Sequence, residues 1–109
     1  MTKDASKSPP TLEDTQRVNV LSEDNDQVFS QAIDNLKKEN FPFAYKCLDR
    51  LIENNHKLEQ LSDELGIIAD GFPSEIDLSL YLVKIYNLLG HKEKALKTLQ
   101  RAQKNINFE

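Results

Sequence analysis

From Asp26 onward the apolar residues fall at helical spacing, and no stretch alternates with the period of two that a half-buried strand requires. Val28, Phe29, Ala32, Ile33 and Leu36 form one apolar stripe, which predicts a helix capped by Asp26 and closed by Lys37 and Lys38 near the negative end of its dipole. Asn40-Phe41-Pro42 marks a tight turn with proline where a first helical turn tolerates it, and Phe43, Ala44, Cys47, Leu48, Leu51 and Ile52 predict a second helix that ends near Asn54-Asn55. Leu58, Leu61 and Leu65 predict a third from Lys57, with Gly66 as its C-cap. Residues 66–73 then read as an apolar loop bounded by glycine and proline and tucked beneath its neighbours.

Ser74, with Asp77 three residues on, predicts the start of a fourth helix. That segment is apolar nearly all round, from Ile76 to Leu89, so it should be the central and best covered element. Gly90 stops it. A last helix from about Lys92 carries Ala95, Leu96, Leu99 and Ala102 and extends toward Ile106. Residues 1–25 have no such period; Ser8-Pro9-Pro10 breaks any helix, and only Val18, Val20 and Leu21 could dock a tail expected to be mobile.

Superposing residues 43–52 on 94–103 brings Ala44 onto Ala95, Lys46 onto Lys97, Leu48 onto Leu99 and Arg50 onto Arg101. The chain is thus expected to hold two copies of one helical hairpin, 51 residues apart, covering 26–55 and 74–106, with a helix and loop over 56–73 between them. The second copy resembles a tetratricopeptide repeat: Leu82, Tyr86, Gly90, Ala95, Leu99 and Ala102 fit that family's offsets over residues 76–109. In the first copy Ala32, Ala44 and Leu48 fit, whereas Glu39 stands where glycine is preferred, Asn35 where the aromatic is and Leu51 where a small residue is. The resemblance implies an all-α fold over 26–109, of the right-handed superhelical type, behind an acidic tail.

It also implies a groove for a partner's peptide along the first helix of each hairpin. The matching positions are Asp26, Phe29, Ile33, Leu36 and Lys37, then Asp77, Leu80, Lys84, Asn87 and Leu88. That surface is mostly apolar, suited to an amphipathic helix or an extended apolar peptide. Family members that clamp a chaperone's terminal carboxylate use asparagines where Ser30 and Tyr81 stand here, and a lysine where Phe29 and Leu80 stand, so a chaperone-tail binder is not expected.

Charge modifies this picture only at the end of the chain. The net charge is −4, yet residues 91–109 carry five bases against two acids. Lys94, Lys97, Arg101 and Lys104 recur at helical spacing as a basic stripe, which suits a solvated outer face; without an interleaved aromatic to stack bases it is a poor nucleic-acid site. His56 and His91 lie at turns without a second ligand nearby, Cys47 is the single cysteine, and no GxxxxGK[ST], GxGxxG, GxSxG or HExxH occurs, so no metal, cofactor or catalytic residue is assigned and no enzyme activity is expected. No run of 18 apolar residues occurs, so no membrane insertion is expected; with one cysteine and no apolar run behind Met1, a cytoplasmic site is. Two hairpins and a single extra helix are few for the apolar surface to be covered, so a partner protein or a second copy should complete it.

Overall fold

The computed structural model describes residues 21–106, which form five helices and, among the described residues, no strand: α1 (Asn25–Lys37), α2 (Phe41–Glu53), α3 (Leu58–Gly71), α4 (Ile76–Leu89) and α5 (Lys92–Ile106). The fold is all-α. Helix α1 packs along α2 and α5 along α4; α3 lies against α4 and also touches α1, and α2 touches α4. One core runs through α1 to α4, with Leu36, Leu48, Leu51, Leu61, Leu65, Leu78, Leu82 and Ile85 fully buried, and α5 adds Ala95, Thr98 and Ala102 where it packs along α4.

Helix ends differ from the sequence expectation in three places, each for a local reason. The N-cap of α1 is Asp24, whose side chain accepts from the Asp26 N–H, and not Asp26. Asp26 sits in the first turn instead, where the Lys57 ammonium and the ring of His56 lie 2.9 and 2.7 Å from its Oδ1 and hold its carboxyl below the usual range. Helix α4 begins after Glu75 with no side-chain cap, so Ser74 stands outside it; the Glu75 carboxylate accepts from the Tyr45 hydroxyl at 2.7 Å.

The largest correction concerns residues 66–73. Gly66 does not end α3, which continues to Gly71, so Ile67-Ile68-Ala69-Asp70 are helical and not a loop. Ile68 and Ala69 join the core while Ile67 turns outward. A Cβ at Gly66 would stand 3.5 Å from the Tyr86 hydroxyl, so glycine there lets α4 approach α3 rather than stopping the helix. Residues before 25 already make contacts with the body. Leu21 packs against the core, the Ser22 N–H donates to Gln31 and its carbonyl accepts from Arg50, while Val18 and Val20 lie outside the described residues.

The internal repeat is visible in the turns. Between α1 and α2, Glu39 has φ 64°, its N–H donates to the Leu36 carbonyl, and the Asn40 N–H reaches back to Asn35 at 2.8 Å. Between α4 and α5, Gly90 has φ 84°, donates to Asn87, and the His91 N–H reaches back to Tyr86 at 2.8 Å. The pairs are 51 residues apart throughout, and Asn55 and His56 close α2 with the same pattern, donating to Ile52 and Leu51. These are left-handed C-terminal motifs of the kind that glycine ends at least cost. Glutamate at Glu39 carries a Cβ penalty of about 1 kcal/mol there.

Glu39→Gly should therefore raise stability by about 1 kcal/mol, or roughly 4–8 °C in Tm. Gly90→Ala should lower it by about as much, because an added Cβ meets nothing within 4 Å and only the backbone is strained. Thermal melts of both variants read the two signs. Equal and opposite shifts support equivalent turns; shifts of one sign do not.

In α2 and α5 the burial follows the repeat at Ala44 and Ala95, Cys47 and Thr98, and Leu51 and Ala102, all buried, although Leu48 is sealed and Leu99 half-buried. In α1 and α4 it does not. Leu36 is sealed whereas Asn87, 51 residues on, is exposed.

Candidate functional site

The groove residues expected on α1 are placed unequally. Val28, Ala32 and Leu36, one helical turn apart, form the line that α1 turns into the core, so Leu36 is a core residue and not a groove residue. Phe29 and Ile33 are half-buried beside that line, and Lys37 is exposed at the end of the helix. Phe29 lines a cleft of about 400 Å³ between α1 and α3 with Asp26, Ser30, Lys57, Gln60 and Glu64.

The α4 positions all reach solvent. Asp77, Leu80, Lys84, Asn87 and Leu88 are exposed, and Leu80, Lys84 and Leu88 stand at spacings of four on one face. Asp77, Leu80 and Lys84 line a second cleft, between α2 and α4, with Tyr45, Asp49 and Tyr81. The expected single groove is thus two separate surfaces. Because α3 is a full helix packed against both α1 and α4, it takes the place along α1 that the repeat reading gave to α4.

Tyr45 was not singled out from the sequence, and Tyr81 only as the residue standing where a carboxylate clamp has asparagine, yet both line the α2/α4 cleft. Their rings stack at 5.0 Å between centroids, Phe41 stacks on Tyr45 at 6.1 Å, and Phe72 meets Phe41 edge-on at 5.4 Å. The hydroxyls are spent on carboxylates, Tyr45 on Glu75 and Tyr81 on Asp49 at 2.8 Å. Burial, then the bonded carboxylate, pushes the Tyr81 phenol up to about 12 and that of Tyr45 further in the same direction. The run Phe41, Tyr45, Asp49 at spacings of four was the available signal.

The basic stripe divides in two. Arg101 Nη1 donates to Asp70 Oδ1 at 2.6 Å, and the Lys94 ammonium lies 5.8 Å from the Tyr86 ring centroid, so both lean toward α3 and its flank. Lys97 and Lys104 stay on the outer face of α5. His91 adds a contact across the same seam, its Nε2 3.1 Å from Glu59. Exposed pairs of this kind contribute about 0–1 kcal/mol each, so they orient α5 on α3 more than they hold it.

Cys47 is wholly buried and burial pushes its thiol up to about 11, which leaves little thiolate at neutral pH. Among the described residues no cluster of three or more histidine, cysteine or acidic side chains could hold a metal, and no helix is long and apolar enough to cross a membrane.

What the surface does offer is apolar. Ile67 on α3 is 74% exposed, Leu80 and Leu88 on α4 are 43% and 57%, and Leu96 on α5 is 55%. Lone exposed leucines are ordinary, but Leu80 and Leu88 share one face of α4. Comparison of the chain with known proteins returns no matching family model, no matching curated protein and no matching solved structure, which leaves these helices and their exposed faces as the ground for a functional reading.

Proposed function

We propose that this chain is a non-catalytic protein–protein interaction module, a small tetratricopeptide-like adaptor or chaperone that holds a helix or extended peptide of a partner protein on α4. The observation that carries the reading is the line Leu80, Lys84, Leu88, in which two exposed leucines flank a lysine on a helix whose opposite face is in the core. Burying two leucines on a partner would contribute about 3 kcal/mol of transfer free energy, enough to matter for a modest interface. A reducing, cytosolic setting fits the lone buried Cys47.

The exposure of Ile67, on a different helix, favours a second reading, an obligate subunit of a larger assembly or homodimer. An adaptor stays monomeric on gel filtration whatever its dilution; an obligate subunit associates or precipitates when made alone. Nucleic-acid contact through α5 is weakened by the engagement of Arg101 and Lys94 with α3 and Tyr86.

The test is the double variant Leu80→Ser/Leu88→Ser. Both side chains are exposed, so helical content and Tm should change little, within about 0.5 kcal/mol per site. Capture of the protein that co-purifies with the parent chain, identified by mass spectrometry, should fall at least tenfold. Unfolding of the double variant, or unchanged capture, would remove α4 as the partner surface.

A further inference from the structure

The cleft between α2 and α4 brings three kinds of surface together: aromatic rings, carboxylates and an exposed aliphatic side chain. Its volume is about 360 Å³, and it is lined by Tyr45 and Asp49 of α2 and by Asp77, Leu80, Tyr81 and Lys84 of α4. Spacings of four on α2 and of three, four and seven on α4 set each group on one helix face. The two phenol rings stack at 5.0 Å between centroids with 25° between their planes, so they form a nearly flat wall. Both are half-buried, while Leu80 and Asp77 are exposed beside them.

The hydrogen bonds of the wall fix its rings and add to its negative potential. Tyr81 donates its hydroxyl proton to Asp49 at 2.8 Å, and Tyr45 donates to Glu75 at 2.7 Å. A ring face is already the negative side of its quadrupole, and a carboxylate held at the phenol oxygen adds its own charge to that field. Asp77 has no hydrogen-bond or ion-pair partner among the described residues. Lys84 is the one cation in the lining. It forms no ion pair with Asp49 or Asp77 and lies over neither ring, so it leaves both features without a cation from the described residues. Lys46, next to Tyr45 on α2, stands outside the lining.

We propose that this cleft seats an arginine side chain from a basic peptide of a partner protein, its guanidinium against the tyrosine wall and on Asp77, its aliphatic stem on Leu80. The proposal rests on the interaction-module reading and gives the α4 surface a residue type to recognise. Charge alone would admit any cation. The flat aromatic wall selects the planar one, because a guanidinium is weakly hydrated, stacks on rings and gives two parallel N–H groups to a carboxylate. An ammonium is a compact, strongly hydrated point charge and gains less from such a wall. Leu80 adds apolar cover for the three methylenes of the arginine stem.

Three fluorescent peptides of one leucine-containing sequence test it. They differ only at a central residue, which is arginine, lysine or citrulline, the neutral isostere of arginine. Fluorescence anisotropy with the full chain should show the arginine peptide binding about fivefold more tightly than the lysine peptide and about tenfold more tightly than the citrulline peptide. Asp77→Asn changes an exposed side chain with no partner to lose, so circular dichroism should not change, and the arginine peptide should weaken roughly fivefold. Lys84→Gln removes the competing charge and should tighten the arginine peptide by roughly threefold. Equal affinity for arginine and lysine means that charge alone draws the peptides, and overturns the stacked site. Arginine binding that Asp77→Asn leaves unchanged lies elsewhere on the chain, and binding of none of the three removes the ligand; either result overturns the proposal. The module reading is decided separately by capture with Leu80→Ser/Leu88→Ser, since Leu88 lies outside this cleft. Loss of capture there keeps that reading when the arginine site fails, and unchanged capture removes both.

Discussion

Leu82→Ala is expected to cost about 3 kcal/mol. Leu82 is 1% exposed and stands where three helices meet, beside Ser62 and Gly66 of α3 and Thr98 of α5. Three carbons, one methine and two methyls, are removed from a site whose walls are helices and cannot collapse freely, so the transfer loss and the residual cavity both count. A domain of this size has a total stability of roughly 4–13 kcal/mol, so the variant would lose a quarter or more of it. The Tm should fall by roughly 12–24 °C, and the urea midpoint should fall without change in slope. Leu80→Ala, two residues earlier on the same helix and exposed, should move stability by no more than about 0.5 kcal/mol. If the two substitutions cost the same, α4 does not present the faces described here.

Alkali should unfold the protein through its tyrosines. The chain has three, and in the folded state all three phenols are raised, Tyr45 and Tyr81 by burial and then by a bonded carboxylate, Tyr86 chiefly by burial. The folded state therefore favours the protonated phenol. Below the ordinary value of 10 this stabilisation is fully present; as pH rises above 10 and through the folded value, about 12 for Tyr81, it is lost. The Cys47 thiol, pushed up to about 11, acts with the same sign from about pH 9 upward. Melting temperature should thus hold steady toward pH 9 and drop steeply between about 10 and 12. Tyrosinate absorbance should show little ionisation at pH 10 in buffer and about half in urea. Tyr45→Phe/Tyr81→Phe should flatten the drop. A normal tyrosine titration in the folded protein would mean that the α2/α4 stack is open to water.

Much of the architecture was legible along the chain. The apolar stripe at helical spacing gave α1, α2, α4 and α5 close to their observed bounds, because each carries a one-sided or continuous apolar face and a clear stop such as Asn54 or Gly90. Gly66 misled because a glycine in mid-helix and a glycine cap look alike in sequence. The neighbour that explains it, Tyr86, lies 20 residues on and belongs to another helix. Asp24 and Asp26 compete for the same cap, and which of them serves depends on the pull of Lys57 and His56 from the far end of α2.

The candidate site was legible only in its α4 half. Leu80, Lys84 and Leu88 were expected on a surface and are on one, whereas Leu36 fits the same pattern and is sealed. Helical period states which residues share a face; it does not state which face another helix will take.

By itself the sequence determined an all-α chain, the order of its helices and a hairpin repeated at a distance of 51 residues, since propensity, spacing and turn chemistry are local properties carried by each segment. The tertiary structure alone decided that α3 runs on through Gly66 and packs against both α1 and α4, and so where the exposed leucines of α4 and α5 were left. Burial is a competition among helices for a limited number of apolar faces, and its outcome depends on contacts between residues far apart in the chain.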